Sequence, residues 1–195
     1  MQMIHLPRTA YHVGRGLWQA RQAAGGIGPP AVALGLTVPH VYSGRVGLLD
    51  TDVNGHLNNA AYLVNCEMAR WEWVGASGLL QHAVKEKIAF IIASTAVRFR
   101  REIKLGQRYE VSTMLSSWDE RSGVIRHEFT APGRPDDVLS QVLCKCVFKR
   151  GRETLAPEAV LRAAGAVDPA SLKAAGEVEV AFDGLNEAMR EAARR

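Results

Sequence analysis

The chain has 195 residues, 47% of them hydrophobic and 23% charged, which suits one folded domain with extensions. No apolar run reaches the roughly 18 residues of a membrane span. The net charge of +4 is carried by residues 1–49, where Arg8, Arg15, Arg21 and Arg45 meet no acidic residue; the rest is balanced, which removes the basic face expected of a nucleic-acid binder.

Taken in chain order, the acid-free start predicts a mitochondrial targeting segment, with a short basic amphipathic helix from Gly16 to Ala24, or else an extension that clasps a partner. Residues 1–37 are read as this extension, and a cytoplasmic location is the alternative to a mitochondrial one. "GGIGPPAVALG" reads as a linker. His40 to Leu49 has the apolar content of a first strand. The polar stretch "LLDTDVNGHLNNAAYL", residues 48–63, then feeds a helix whose Ala61, Val64, Met68 and Trp71 recur at spacings of 3, 4 and 3. Asn58 or Asn59 is the expected N-cap and Gly75 or Gly78 the stop, giving a helix of about 16 residues. Trp71 fits the core stripe; Trp73, two residues on, is left for an interface.

Strands follow. "KIAFIIASTAVRFRR" is long and expected to bend around Ala93 and Ser94. "QRYEVSTMLSSWDE" alternates Tyr109, Val111, Thr113 and Leu115 against Glu110, Ser112 and Met114. "WDERSG" reads as a hairpin turn to "GVIRHEFTA", and "APGRPDD" as the turn to "VLSQVLCKCVFKR". Cys144 and Cys146, two apart, share a strand face. With Cys66 they form neither a secreted disulfide framework nor a zinc-binding spacing. From about Ala156 the tail is helical, with breaks at Pro169 and Gly184. The expected fold is α+β: an antiparallel sheet wrapped around one long helix over residues 38–165, followed by a helical tail over 166–195.

The polar stretch combines Asp50, Asp52, Gly55, His56, Asn58 and Asn59 just before a helix. N–H groups in a first helical turn lack intrahelical partners and carry the positive end of the dipole. They can polarise a carbonyl and hold developing negative charge, while a neighbouring carboxylate acts as nucleophile or as general base on water. Gly55 permits a sharp turn and close approach of a substrate. The same residues also suit helix capping, so both readings stand at this point.

"TDVNGHLNNAAYL", followed by a helix and four strands, resembles the hotdog-fold thioesterases of the 4-hydroxybenzoyl-CoA thioesterase superfamily. Their motif, roughly D-x-x-G-H-x-N-N-x-x-Y, is matched by Asp52, Gly55, His56, Asn58, Asn59 and Tyr62 without a gap. "STAVRFRREIKLGQRYEVSTMLSSWDERS" is similar to the thioesterase superfamily member 6 group. The resemblance extends over roughly residues 40–165. It implies Asp52 as the catalytic carboxylate, the Asn59 amide as the group that polarises a thioester carbonyl, and His56 as a further member of the catalytic set that organises the turn. It places Gly55, Asn58 and Tyr62 on the substrate. It also implies an acyl-CoA substrate, no metal, no cofactor beyond the coenzyme A of the substrate, and a site between the protomers of a homodimer or hotdog heterodimer. Other branches place a catalytic glutamate on the central helix, where Glu67 and Glu72 are the candidates. A hotdog hydratase is disfavoured: its D-x-N-P-x-H motif puts His five residues after Asp, whereas His56 follows Asp52 by four.

Two functions result. One is an acyl-CoA thioesterase. The other is a non-catalytic hotdog accessory subunit of a larger mitochondrial assembly, suggested by the long N-terminal extension and helical tail. The cluster "RFRREIK" suits either the phosphates of coenzyme A or a charged strand edge that resists aggregation.

Overall fold

The computed structural model of the chain describes residues 5–25, 35–36, 38–164 and 176–193. In order these form α1 (His5–Ala24), β1 (His40–Arg45), α2 (Asn59–Ala76), α3 (Leu79–Lys85), β2 (Ala89–Phe99), β3 (Arg108–Trp118), β4 (Gly123–Ala131), β5 (Arg134–Arg150), β6 (Glu153–Leu155), α4 (Pro157–Ala163) and α5 (Glu177–Ala192). The strands pair antiparallel in the order β1-β3-β4-β5-β2, with β6 added against the end of β5. The sheet curls around α2 in a hotdog fold.

Period-2 patterning builds the sheet as expected. Tyr109, Val111, Thr113 and Leu115 of β3 are all buried, and the register of β2 on β5 shifts between Ile92 and Ser94, where the bend was expected. Two element ends differ. The first strand stops at Arg45, and Leu48–Asp50 forms a 3-10 turn instead. The turn at "APGRPDD" tightens around Gly133, at φ 67°, so Pro135 and Asp137 belong to β5.

Helix α2 has 18 residues and is buried on two sides. Towards the sheet, Tyr62 packs edge-on against Phe99 and Phe129, with ring centroids 5.0 and 4.9 Å away. Cys66, Met68, Ala69 and Trp73 are at most 1% exposed. Trp73 is thus core, not interface, and Trp71 is the half-buried one. A single-stripe reading misassigned them because it supposed one buried face where α2 has two. The indole of Trp73 is pressed by the backbone of Gly35, whose φ is 72°; a Cβ there would lie 2.0 Å from Trp73 Nε1.

The second side is covered by α1, which crosses α2 at two glycines. A Cβ on Gly16 would lie 2.1 Å from the Glu72 carbonyl oxygen, and one on Gly75 would lie 2.9 Å from the Val13 carbonyl oxygen. This close approach buries Glu72 completely. Its carboxylate is met by His12 Nδ1 at 3.0 Å, Gln19 Nε2 at 3.3 Å and Arg15 at 3.5 Å. A buried charge is tolerable only with such partners. The basic helix expected from Gly16 to Ala24 is longer, and its Arg15 and His12 answer an acid on the central helix.

In the tail, Gly184 does not break a helix but lies inside α5. An interior glycine costs about 1 kcal/mol against alanine. That cost is outweighed where Phe182 buries against Val124 and Leu143, Glu179 pairs with Arg126, and Lys145 meets Asp183 at 2.6 Å. Pro169 and most of the Gly/Pro-rich linker lie outside the described residues. The short helix α3 was not expected; Gly78, at φ 81°, ends one helix and starts the next.

His40 sits where α1 crosses α2, 3% exposed, with Nε2 3.1 Å from Gln19 Oε1 and 3.8 Å from Glu72. Burial, only partly offset by Glu72, lowers its pKa from 6.5 to about 4. Below pH 6.5 the unfolded chain takes up a proton that the folded one refuses, so this contribution to stability is present above 6.5 and lost as pH falls towards 4. Urea denaturation should show stability declining across that window by up to about 3 kcal/mol, and His40→Gln should flatten the decline. Gly16→Ala should cost about 2 kcal/mol or more at neutral pH by forcing the helices apart; a melt unchanged from wild type would refute the close crossing.

Candidate active site

The site begins at the turn Asp52–Gly55. Asp52 Oδ1 accepts the N–H of Asn54 at 2.9 Å and that of His56 at 3.4 Å, while its carbonyl accepts the Gly55 N–H at 3.1 Å. This is an Asx turn within a β-turn, a use for which aspartate is well shaped. Gly55 is at φ 79°, and nothing lies within 4 Å of where its Cβ would be. Glycine is required there by backbone conformation, not by space.

The chain then doubles back. The Asp52 N–H donates to the His56 carbonyl at 2.9 Å, Thr51 bridges Leu57, and the Asn58 N–H donates to the Asp50 carbonyl at 2.8 Å. The Leu57 N–H reaches the Ile103 carbonyl at 2.7 Å and the Leu105 N–H reaches that of Gly55 at 2.9 Å, which pins the loop to the β2–β3 connection. Asp52 is thereby held beside the start of α2. There Asn58 is the N-cap: its Oδ1 takes the Ala60 N–H at 2.8 Å, and its carbonyl takes those of Ala61 and Tyr62. No acceptor for the Asn59 N–H is found among the described residues. It is an open donor at the positive end of an 18-residue helix.

Partial desolvation pushes the Asp52 carboxyl up, but the amide N–H groups of Asn54 and His56, with the His56 ring nearby, outweigh it and hold the carboxyl below its ordinary range. The group is ionised at neutral pH.

The other expected residues take different places. His56 turns its Nε2 to Glu102 at 2.9 Å, and Glu102 also meets Lys104 at 3.2 Å. It ties the turn to the β2–β3 connection. Tyr62 is 2% exposed, and burial pushes its hydroxyl up to about 12. It forms the core floor beneath the helix start, not an open substrate contact. Glu72 is held by α1, about 20 Å along the helix from Asn59 at 1.5 Å per residue; Glu67 is half-buried. Of the "RFRREIK" cations, Arg101 pairs with Asp137 and Lys104 with Glu102. Arg98 and Arg100 are exposed on either side of Phe99, whose ring touches Tyr62.

Two contributors went unseen in the sequence. Glu102 stands in a run read only for its cations. Arg8 of α1 reaches Asp50 and Asn65, each at 3.4 Å, a contact across 42 and 57 residues that no local pattern signals. A cleft of about 890 Å³ also opens between α5 and the outer face of β2 and β5, lined by residues including Ser94, Lys145, Asp183 and Arg190. It lies on the side of the sheet away from Asp52 and α2.

With this geometry in view, residues 46–164 match the family described as the thioesterase-like superfamily. The chain is 36% identical to Protein THEM6 of Danio rerio, over 70% of this chain and 65% of that one, so it spans less than two thirds of that relative. It is 28% identical to the long-chain acyl-CoA thioesterase FadM of Escherichia coli (strain K12), over 57% of this chain and 85% of the relative. Among solved structures, the probable thioesterase YbaW from Escherichia coli superposes with a TM-score of 0.56 at 26% identity, over 64% of this chain and 95% of that one. The chain belongs to the thioesterase-like superfamily.

Proposed function

We propose that the protein hydrolyses an acyl-CoA thioester to a carboxylic acid and free coenzyme A. The observation that carries this reading is the ionised Asp52 carboxylate held beside the open Asn59 N–H at the start of α2. The thioester carbonyl accepts from Asn59, which draws charge onto its oxygen. Asp52 takes a proton from water as the water attacks the carbonyl carbon. The tetrahedral intermediate then expels the coenzyme A sulfur, which leaves with that proton as the thiol. Direct attack by Asp52 gives the same products through a mixed anhydride that water opens. A carboxyl held below its ordinary range is a weak base, so the rate must come from placement. The name of the Escherichia coli relative supports the substrate class, and the exposed Arg98 and Arg100 are the cations we assign to coenzyme A phosphates.

The half-exposed turn around Asp52 suits a site completed by a second protomer, a homodimer or hotdog heterodimer. A second reading, a non-catalytic subunit of a larger mitochondrial assembly, draws on α1 and α5, helices beyond what the sheet needs. A dimer of active enzyme on size exclusion supports the first reading; an inactive protein that migrates only in a large particle supports the second.

Thiol release from a panel of acyl-CoAs should fall about 100-fold in Asp52→Asn, while the fold is retained. Because Asp52 is held ionised, the acid limb of kcat/KM for folded protein should lie below the ordinary aspartate range. No turnover on short, long or aromatic acyl groups refutes the enzyme reading, and a limb near neutral pH points to a different base.

A further inference from the structure

Arg70 of α2 is a half-buried cation with only neutral partners. One terminal nitrogen of its guanidinium lies 3.3 Å from His127 Nε2 and 3.5 Å from Cys144 Sγ. An arginine can only donate, so His127 Nε2 accepts and its Nδ1–H donates to Thr113 Oγ1 at 2.9 Å. His127 is fully buried, and burial together with Arg70 holds its pKa well below the ordinary value, so it is neutral. The cluster therefore keeps a whole positive charge, which no carboxylate among the described residues answers. Glu67, one turn earlier, is half-buried and stands about 60° further round the helix from the sheet. The ion pair common between residues three apart on a helix is not formed. Both contacts of Arg70 use the same nitrogen. Its Nε and second terminal nitrogen, the edge that grips a carboxylate with two parallel hydrogen bonds, have no acceptor among the described residues. Taking a charge out of water without a partner is costly, so an anion from elsewhere is called for.

The place of Arg70 identifies that anion. Between its two covered sides α2 leaves one narrow strip, where Asn59, Leu63 and Arg70 follow one another within about 40° of the helix circumference. Strand β2 runs beside it. Phe99 touches Tyr62 just past Asn59, and Thr95 Oγ1 lies 3.7 Å from the same Cys144 sulfur that Arg70 meets. One corridor thus joins the helix start to Arg70. It is about 16 Å long counted along α2 from Asn59, and about 13 Å along β2 from Phe99 to Thr95. Leu63 and Phe99, 42 and 45% exposed, and Val97 make its walls apolar. A second protomer of the proposed dimer would roof this corridor, so its exposure in one protomer marks no free surface. Arg70 is different, since its own sheet fixes it. We propose that Arg70 is a specificity-determining residue and binds a second carboxylate, at the far end of an acyl chain whose thioester lies at Asn59. The substrate class is then an ω-carboxyacyl-CoA of about ten to twelve carbons, at roughly 1.3 Å per carbon. The anion site stands on the cluster around Arg70; the chemistry at the other end of the chain rests on the proposed hydrolase reading.

The test is equilibrium binding, by titration calorimetry, of dodecanedioyl-CoA and dodecanoyl-CoA to the Asp52→Asn protein, in which turnover is slowed. The dicarboxylic ligand should bind at least about 10-fold more tightly. Arg70→Met, of similar length and without charge, should reverse the order. Arg70→Lys, which keeps the charge but not the fork, should leave a reduced preference. The order of the two ligands with Arg70 intact needs no variant at that position, so the test holds if Arg70→Met unfolds. Binding is read apart from turnover. A preference for the dicarboxylic ligand in a protein whose wild type hydrolyses nothing keeps the anion site and refutes the hydrolase. Turnover of plain acyl chains without that preference keeps the hydrolase and overturns the anion site. The proposal is also overturned if neither ligand binds, or if Arg70→Met leaves the ligand order unchanged. Should that variant also split a dimer on size exclusion, the cation answers an acid of the second protomer instead.

Discussion

A helix buried on two sides can offer a reactant little but its ends, and this constraint organises the molecule. The sheet covers one side of α2 through Tyr62, Cys66, Ala69 and Trp73, and α1 covers another through the Gly16–Gly75 crossing. The C-terminal end turns through Ser77 and Gly78 straight into α3. The N-terminal end remains open: there the positive end of the dipole and the Asn59 N–H, without an acceptor among the described residues, follow directly on the turn that holds the Asp52 carboxylate. Capping and chemistry share one geometry: Asn58 satisfies the next amides of the first turn and leaves the Asn59 N–H free.

The same crossing accounts for the buried polar cluster. The glycines let two backbones approach within contact distance, which strands Glu72 away from water. His12, Arg15, Gln19 and His40 are then required around it, because an unpaired buried carboxylate would cost several kcal/mol. Since those partners draw the polar residues of α1 inward, its apolar residues are left outward. The exposed apolar residues of α1 are thus a consequence of how α2 is covered, and α1 joins Glu72, held by Arg15, to Asp50, held by Arg8 just before the Asp52 turn.

Much of this was legible in the residues. Strand alternation fixed the faces of β3 because one side of that strand is buried and the period is 2. The motif from Asp52 to Tyr62 located the turn, the cap and the family, since Asx turns and left-handed glycines are local chemistry that a short window contains. The α1–α2 contact was not legible. In the sequence Glu72 is a candidate catalytic acid, Gly75 a candidate helix stop and Gly16 the start of a short helix, and only the packed second helix makes them one crossing. Trp71 and Trp73 were exchanged for the same reason. Tyr62 was assigned to the substrate by its motif position, whereas its burial depends on Phe99 and Phe129, which are distant in sequence. The partner of His56 was hidden because Glu102 stands among cations.

The central claim is that the start of α2 polarises a thioester carbonyl that Asp52 brings under attack. The most direct measurement is the isotope-edited infrared stretch of that carbonyl in an acyl-CoA bound to the slowed Asp52→Asn protein. The account predicts a stretch lower in frequency than for the same thioester in water, as expected when a helix-end N–H draws charge onto the oxygen. A bound carbonyl with the frequency it has in water would contradict it.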